Sequence, residues 1–153
     1  MAITRRVLLI LLACVVLMPA AGVQGQSPAA TSAKLAMKGY DPVAYFTDGK
    51  AIPGTSAFSY VWDGLRYEFV SAAHRDTFAA NPSQYAPQYA GSCAASMANG
   101  FKVEADPENW AIADGRLFLF AGARGFEMFR GSGSALVANA DRNWQKITVP
   151  SKQ

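Results

Sequence analysis

The sequence predicts an α+β fold in which antiparallel β-hairpins pack against short helices. Two Asp-Gly pairs flanked by alternating apolar residues predict the hairpins. Helix-capping residues between and after them, with apolar residues at helical spacing near the C-terminus, predict the helices.

In the first hairpin, Phe58, Tyr60 and Trp62 alternate on one side of Asp63-Gly64, and Leu65, Tyr67 and Phe69 on the other. Two-residue turns of this type need positive φ at both central positions, which Asp and Gly tolerate. Ser71 then predicts the cap of a helix from Ala72 to about Ala80, with His74 in its first turn. Asn81-Pro82 predicts a new short helix through Tyr85. Ser92 is expected to cap a third, from Cys93 to Ala98, that Asn99-Gly100 ends.

Asp106-Pro107 suggests a turn of helix before the second hairpin, which runs from Trp110 to Ala113, turns at Asp114-Gly115 and returns from Arg116 to Phe120. From Ala123, Phe126 and Phe129 suit one helix. Leu136, Val137, Ala140 and Trp144 suit another, over Ser134 to Trp144. The flanking sequences of the hairpins do not match, so they are not a repeat.

The N-terminus predicts export. Arg5 and Arg6 precede a run from Val7 to Met18, about a dozen apolar residues, too short for the ~20 of a spanning helix. A signal peptide over 1–25 is expected, cleaved near Gly25 or Gln26, then a flexible tether over 26–34, one domain over 35–148 and a tail over 149–153. The expected location is periplasmic or secreted, with no transmembrane segment after processing. Thr4-Arg5-Arg6 partly resembles a twin-arginine signal, and Leu11-Leu12-Ala13-Cys14 a lipoprotein cleavage box. General secretion with plain cleavage fits the strongly apolar run better than either.

Processing also alters the charge. The chain has 14 Lys and Arg against 11 Asp and Glu, and losing Arg5 and Arg6 leaves 12 against 11, a net +1. No cluster of Lys and Arg with interleaved aromatics remains to follow phosphates, so nucleic acid is not an expected partner. Of the two cysteines, Cys14 leaves with the leader, so Cys93 has no internal partner in an oxidising compartment. It reads as a buried filler, a metal ligand, a reactive thiol or half of an intermolecular bridge.

Gly39-Tyr40-Asp41-Pro42-Val43-Ala44-Tyr45-Phe46, then Tyr67, Phe69, Ser71, His74-Arg75-Asp76, Phe78, Asn81-Pro82, Tyr85-Ala86-Pro87-Gln88-Tyr89, Gly91 and Cys93-Ala94 together resemble the exported branch of the YHS-domain family. The resemblance spans Leu35 to about Ile147. It implies a treble-clef-like module with a C-terminal helical extension, in a family whose other branch is thought to hold metal through cysteines. The residues matching those cysteines are Ala44, Val70 and His74. Two of the three cannot bind metal and the third has changed type. The resemblance brings no settled biochemical activity for exported members.

The candidate metal set is therefore Cys93, His74, Met97 and Asp41, with copper the most plausible ion because thiolate and thioether are soft ligands. Cys93 at a helix start would gain thiolate character from unpaired N–H groups. Met97, four residues on, shares its face, although a core gap-filler is the plainer reading. For His74, the plainer reading is a polar residue on an exposed helical turn. A closed four-ligand zinc site is excluded for one chain with a single remaining Cys and a single His.

Tyr40, Tyr45, Tyr67 and Tyr89 are the candidate lining of a ligand pocket, against the alternative that such aromatics form the core. No enzyme motif is present, and a Cys93 nucleophile served by His74 has no sequence support beyond the two residue types. Two expectations follow: an exported domain binding a metal ion or small ligand near Cys93, or a non-catalytic interaction or structural module that has lost the family metal site. Candidate partners are a metal ion, another exported protein or a second copy of the chain.

Overall fold

The computed structural model describes residues 32–148. The expected leader over 1–25, the tether up to residue 31 and the tail over 149–153 lie outside the described residues. Within them the fold is α+β, built on two small sheets.

The first sheet has strand order β1-β3-β2, with β1 Lys34–Leu35, β2 Thr55–Trp62 and β3 Leu65–Phe69. Strands β2 and β3 form the expected hairpin, pairing Trp62 with Leu65 through Ser59 with Glu68. Asp63 and Gly64 have φ of 49° and 73°, the left-handed pair that a tight hairpin turn requires. Strand β1 joins β3 in parallel, so Lys34 belongs to the sheet rather than to the expected tether. Two paired residues carry too little pattern to be read as a strand in advance.

Helix α1, Ala44–Thr47, follows the Asp41-Pro42-Val43 turn. Helix α2, Ala72–Ala80, has the expected bounds, and the Ser71 hydroxyl accepts the His74 backbone N–H at 3.2 Å. Helix α3, Pro82–Tyr85, begins with proline as expected, but the Asn81 side chain does not cap it. That oxygen instead accepts the Ser83 hydroxyl.

Helix α4 covers Ala94–Ala98, one residue shorter than expected. Ser92 closes the preceding 3-10 turn, so the N-cap position falls to Cys93, which makes no side-chain cap bond. The second sheet pairs β4, Asp106–Ala113, with β5, Arg116–Phe120, around Asp114-Gly115. The expected helical turn at Asp106-Pro107 is instead a bulged start of β4. Asp106 accepts the Glu108 N–H and the Asn109 side-chain amide, a local turn that the strand absorbs by shifting register before Trp110.

Helix α5, Ala123–Thr148, joins the two expected C-terminal helices, with a break at Ser132 (φ −148°, ψ 39°) between Gly131 and Gly133. It packs on α4, where the Asn143 amide donates to the Met97 and Ala98 carbonyls and so satisfies the end of the shorter helix. The core joins both sheets: Tyr67, Phe69 and Phe78 on one side, Phe118, Phe120, Met97 and Ala140 on the other.

Candidate functional site

The chain enters the site at Asp41, whose backbone N–H donates to the Ile52 carbonyl. The side chain is fully buried. Its Oδ1 accepts the N–H groups of Val43 at 2.8 Å and Ala44 at 3.3 Å. Its Oδ2 accepts the Val70 N–H at 2.9 Å and faces His74 Nδ1 at 2.7 Å. An ionised carboxylate only accepts, so in this bond His74 donates through Nδ1, while Nε2 lies 4.0 Å from Asp48 Oδ2.

One carboxylate thus ties together the Tyr40–Val43 turn, the end of β3 and the first turn of α2. The Ser71 cap fixes the start of α2 and thereby aims His74 at Asp41. Burying a carboxylate is costly unless its lone pairs are used, and here four donors use them.

Cys93 and Met97 lie elsewhere in the fold. Cys93 is 2% exposed and Met97 fully buried, one turn apart on α4. The Cys93 backbone donates to the Val103 carbonyl, and the residue bridges to Leu119 of β5. A shallow cavity of about 260 Å³ adjoins it, lined also by Ser96, Asn99, Arg124, Gly125 and Met128. The expected set of Cys93, His74, Met97 and Asp41 is therefore divided into a bonded polar pair and two core side chains. Among the described residues, no three of His, Cys, Asp and Glu converge as metal ligands would. Both Asp41 oxygens and His74 Nδ1 are engaged with each other and with backbone, so among the described residues Nε2 is the one polar side-chain atom of this pair left without a hydrogen bond.

The expected tyrosine-lined pocket is also corrected. Tyr45 and Tyr67 are each 1% exposed, and burial raises both phenols well above their ordinary range. The Tyr45 hydroxyl donates to the Pro107 carbonyl and its ring meets Trp110 edge-on at 5.1 Å. Tyr40 donates to Glu108, the main reason its phenol also titrates high. A domain of this size needs such rings to fill its core, which is where most of the aromatic density goes.

Tyr89 belongs to a network that the sequence did not suggest. Arg116 binds Asp141 through both terminal nitrogens, at 2.7 and 3.1 Å. It also donates to Gln88 Oε1, while the Tyr89 hydroxyl donates to Asp141 at 2.8 Å. A cavity of about 410 Å³ opens beside it over Phe118, Phe129 and Val137. These partners come from β5, the 3-10 turn Gln88–Gly91 and α5, at separations where no local spacing rule operates.

The Arg116 hydrogen bond holds the Asp141 carboxyl below its ordinary value, against a smaller opposing effect of burial. A depressed carboxyl contributes stability that is present above its unfolded value of about 4 and is lost as pH falls through the folded one. Asp141→Asn is therefore expected to flatten the acid limb of the stability curve below about pH 4 relative to the parent, in urea melts at successive pH values. An unchanged limb would show that the half-exposed pair is too well solvated to matter.

Comparison with family models, with curated proteins and with solved structures finds no match to this chain.

Proposed function

We propose that the chain is an exported, non-catalytic interaction module, similar to the exported YHS-domain branch, in which His74 stands where metal-holding relatives have a cysteine and pairs with the buried carboxylate of Asp41. The observation that carries the proposal is the saturation of Asp41: three backbone N–H groups and His74 use both of its oxygens. A metal ion organises a small domain by drawing distant segments onto one charge. Asp41 does the same with hydrogen bonds, so the position of a family cysteine is taken by a histidine that braces a carboxylate. The burial of Cys93 and Met97 in the core supports a packing role for both.

The test is mass and metal analysis of the full-length gene product recovered from the cell envelope. The expected result is a mature chain beginning near Gln26, with copper and zinc well below one equivalent and no rise in melting temperature when either is added. Stoichiometric metal that is lost in both Cys93→Ala and His74→Ala would overturn the interaction-module reading. An uncleaved leader would overturn export.

A further inference from the structure

A groove of about 550 Å³ separates the two sheets, within the ~300–1,000 Å³ usual for binding clefts. One wall is β1 and the turn after it, Lys34 to Lys38. The other is the segment from Lys102 to Ala105, and Ala90 to Ser92 with Leu119 also line it. Among the described residues strand β1 pairs only with β3 and lies at the end of its sheet. The opposite wall has a single bridge, Ser92 to Glu104, outside any strand. The first wall thus offers the short edge of β1 at the margin of a sheet, the setting in which an added strand finds hydrogen-bonding partners.

The side chains give the groove a definite chemistry. Leu35 and Val103 are 36% and 41% exposed and supply its apolar surface. Lys34, Lys38 and Lys102 stand around them against one carboxylate, Glu104. Among the described residues none of the three lysines forms a salt bridge, although Lys102 lies 5.1 Å from the centre of the Trp144 ring.

The backbone there is also strained. Apart from the hairpin residues Asp63 and Asp114, the non-glycine residues with positive φ among the described residues are Met37, Lys38, Tyr89 and Ala90. Met37, Lys38 and Ala90 line the groove, and Tyr89 adjoins it. Left-handed conformations at residues with a Cβ cost about 1 kcal/mol or more each and cluster where shape serves binding.

We propose that this groove binds an extended acidic peptide segment of a partner protein, laid along the free edge of β1. Its apolar side chains would rest on Leu35 and Val103, and alternate carboxylates would meet Lys34, Lys38 and Lys102. The proposal deepens the interaction-module reading by naming the partner's chemistry, and it rests on that reading. The two can fail separately, because metal analysis bears on Asp41 and His74 while peptide binding bears on the groove.

The probe is a capped hexapeptide of alternating valine and glutamate, titrated into the isotopically labelled mature protein and followed by amide chemical shifts. Expected are saturable shifts centred on residues 34–38 and 102–105, with affinity falling about tenfold in Lys34→Glu/Lys38→Glu and falling again as salt is raised. Lys34→Gln/Lys38→Gln, which keeps the length without reversing the charge, should lose less, and unchanged melting temperatures would show both variants folded. No saturable shifts at about 1 mM, shifts elsewhere, equal binding of a valine–lysine peptide, or binding of dodecanoate but not the peptide would each overturn the proposal.

Discussion

Replacing Asp41 with alanine is expected to destabilise the domain by about 3–5 kcal/mol in denaturant melts. The substitution removes no large volume, so the loss comes from the donors left behind. The N–H groups of Val43, Ala44 and Val70 and the His74 ring nitrogen all point at the missing carboxylate. An unpaired buried donor costs about 1–3 kcal/mol, and water entering the vacated space recovers part of that. Asp41→Asn should fall between parent and alanine, because its carbonyl satisfies one side while its amide confronts donors on the other. His74→Asn should cost only about 1 kcal/mol, since its amide can still donate to the carboxylate. A loss below 1 kcal/mol for Asp41→Ala would show that the carboxylate is not what joins these three segments.

The same residue shows what was legible from sequence alone. Asp41 is visible as a polar residue among apolar and aromatic neighbours, but the 33-residue separation from His74 hides the bond between them. Local signals read well where one interaction decides the structure: Asp63-Gly64, Asp114-Gly115 and the Ser71 cap all act within a few residues. They read poorly where two signals compete. Ser92 suits a cap position, but it ends the 3-10 turn that holds Tyr89 and Ala90 in left-handed conformations, and the helix starts one residue later. At Asp106, a turn-forming side chain and a strand share one segment, and pairing with Phe120 prevails. Strand β1 and the groove beside it had no local signature, because both exist only once Lys34 meets Leu65 and Lys102 approaches the other wall.

Phe78→Ala is expected to cost about 3–5 kcal/mol, the range for emptying a phenylalanine site in a packed core. Phe78 is fully buried, and it is the only buried residue on α2. Its ring sits among Tyr67 at 4.7 Å, Phe69 at 5.2 Å, Tyr60 at 6.1 Å and Trp62 at 6.3 Å between centroids. The helix therefore docks on the first sheet through one apolar anchor, and the hydrogen bond from His74 to Asp41 depends on that docking. Phe78→Leu, which keeps much of the volume, should lose only about 1–2 kcal/mol. If docking and hydrogen bond are coupled in this way, the cost of His74→Asn should shrink when measured in the Phe78→Ala background. The near-ultraviolet circular dichroism of Trp62, set by its edge-on contact with Phe78, should weaken in the same variant before unfolding. Additive costs, or an unchanged aromatic signal, would mean that α2 is held in place by contacts other than this ring.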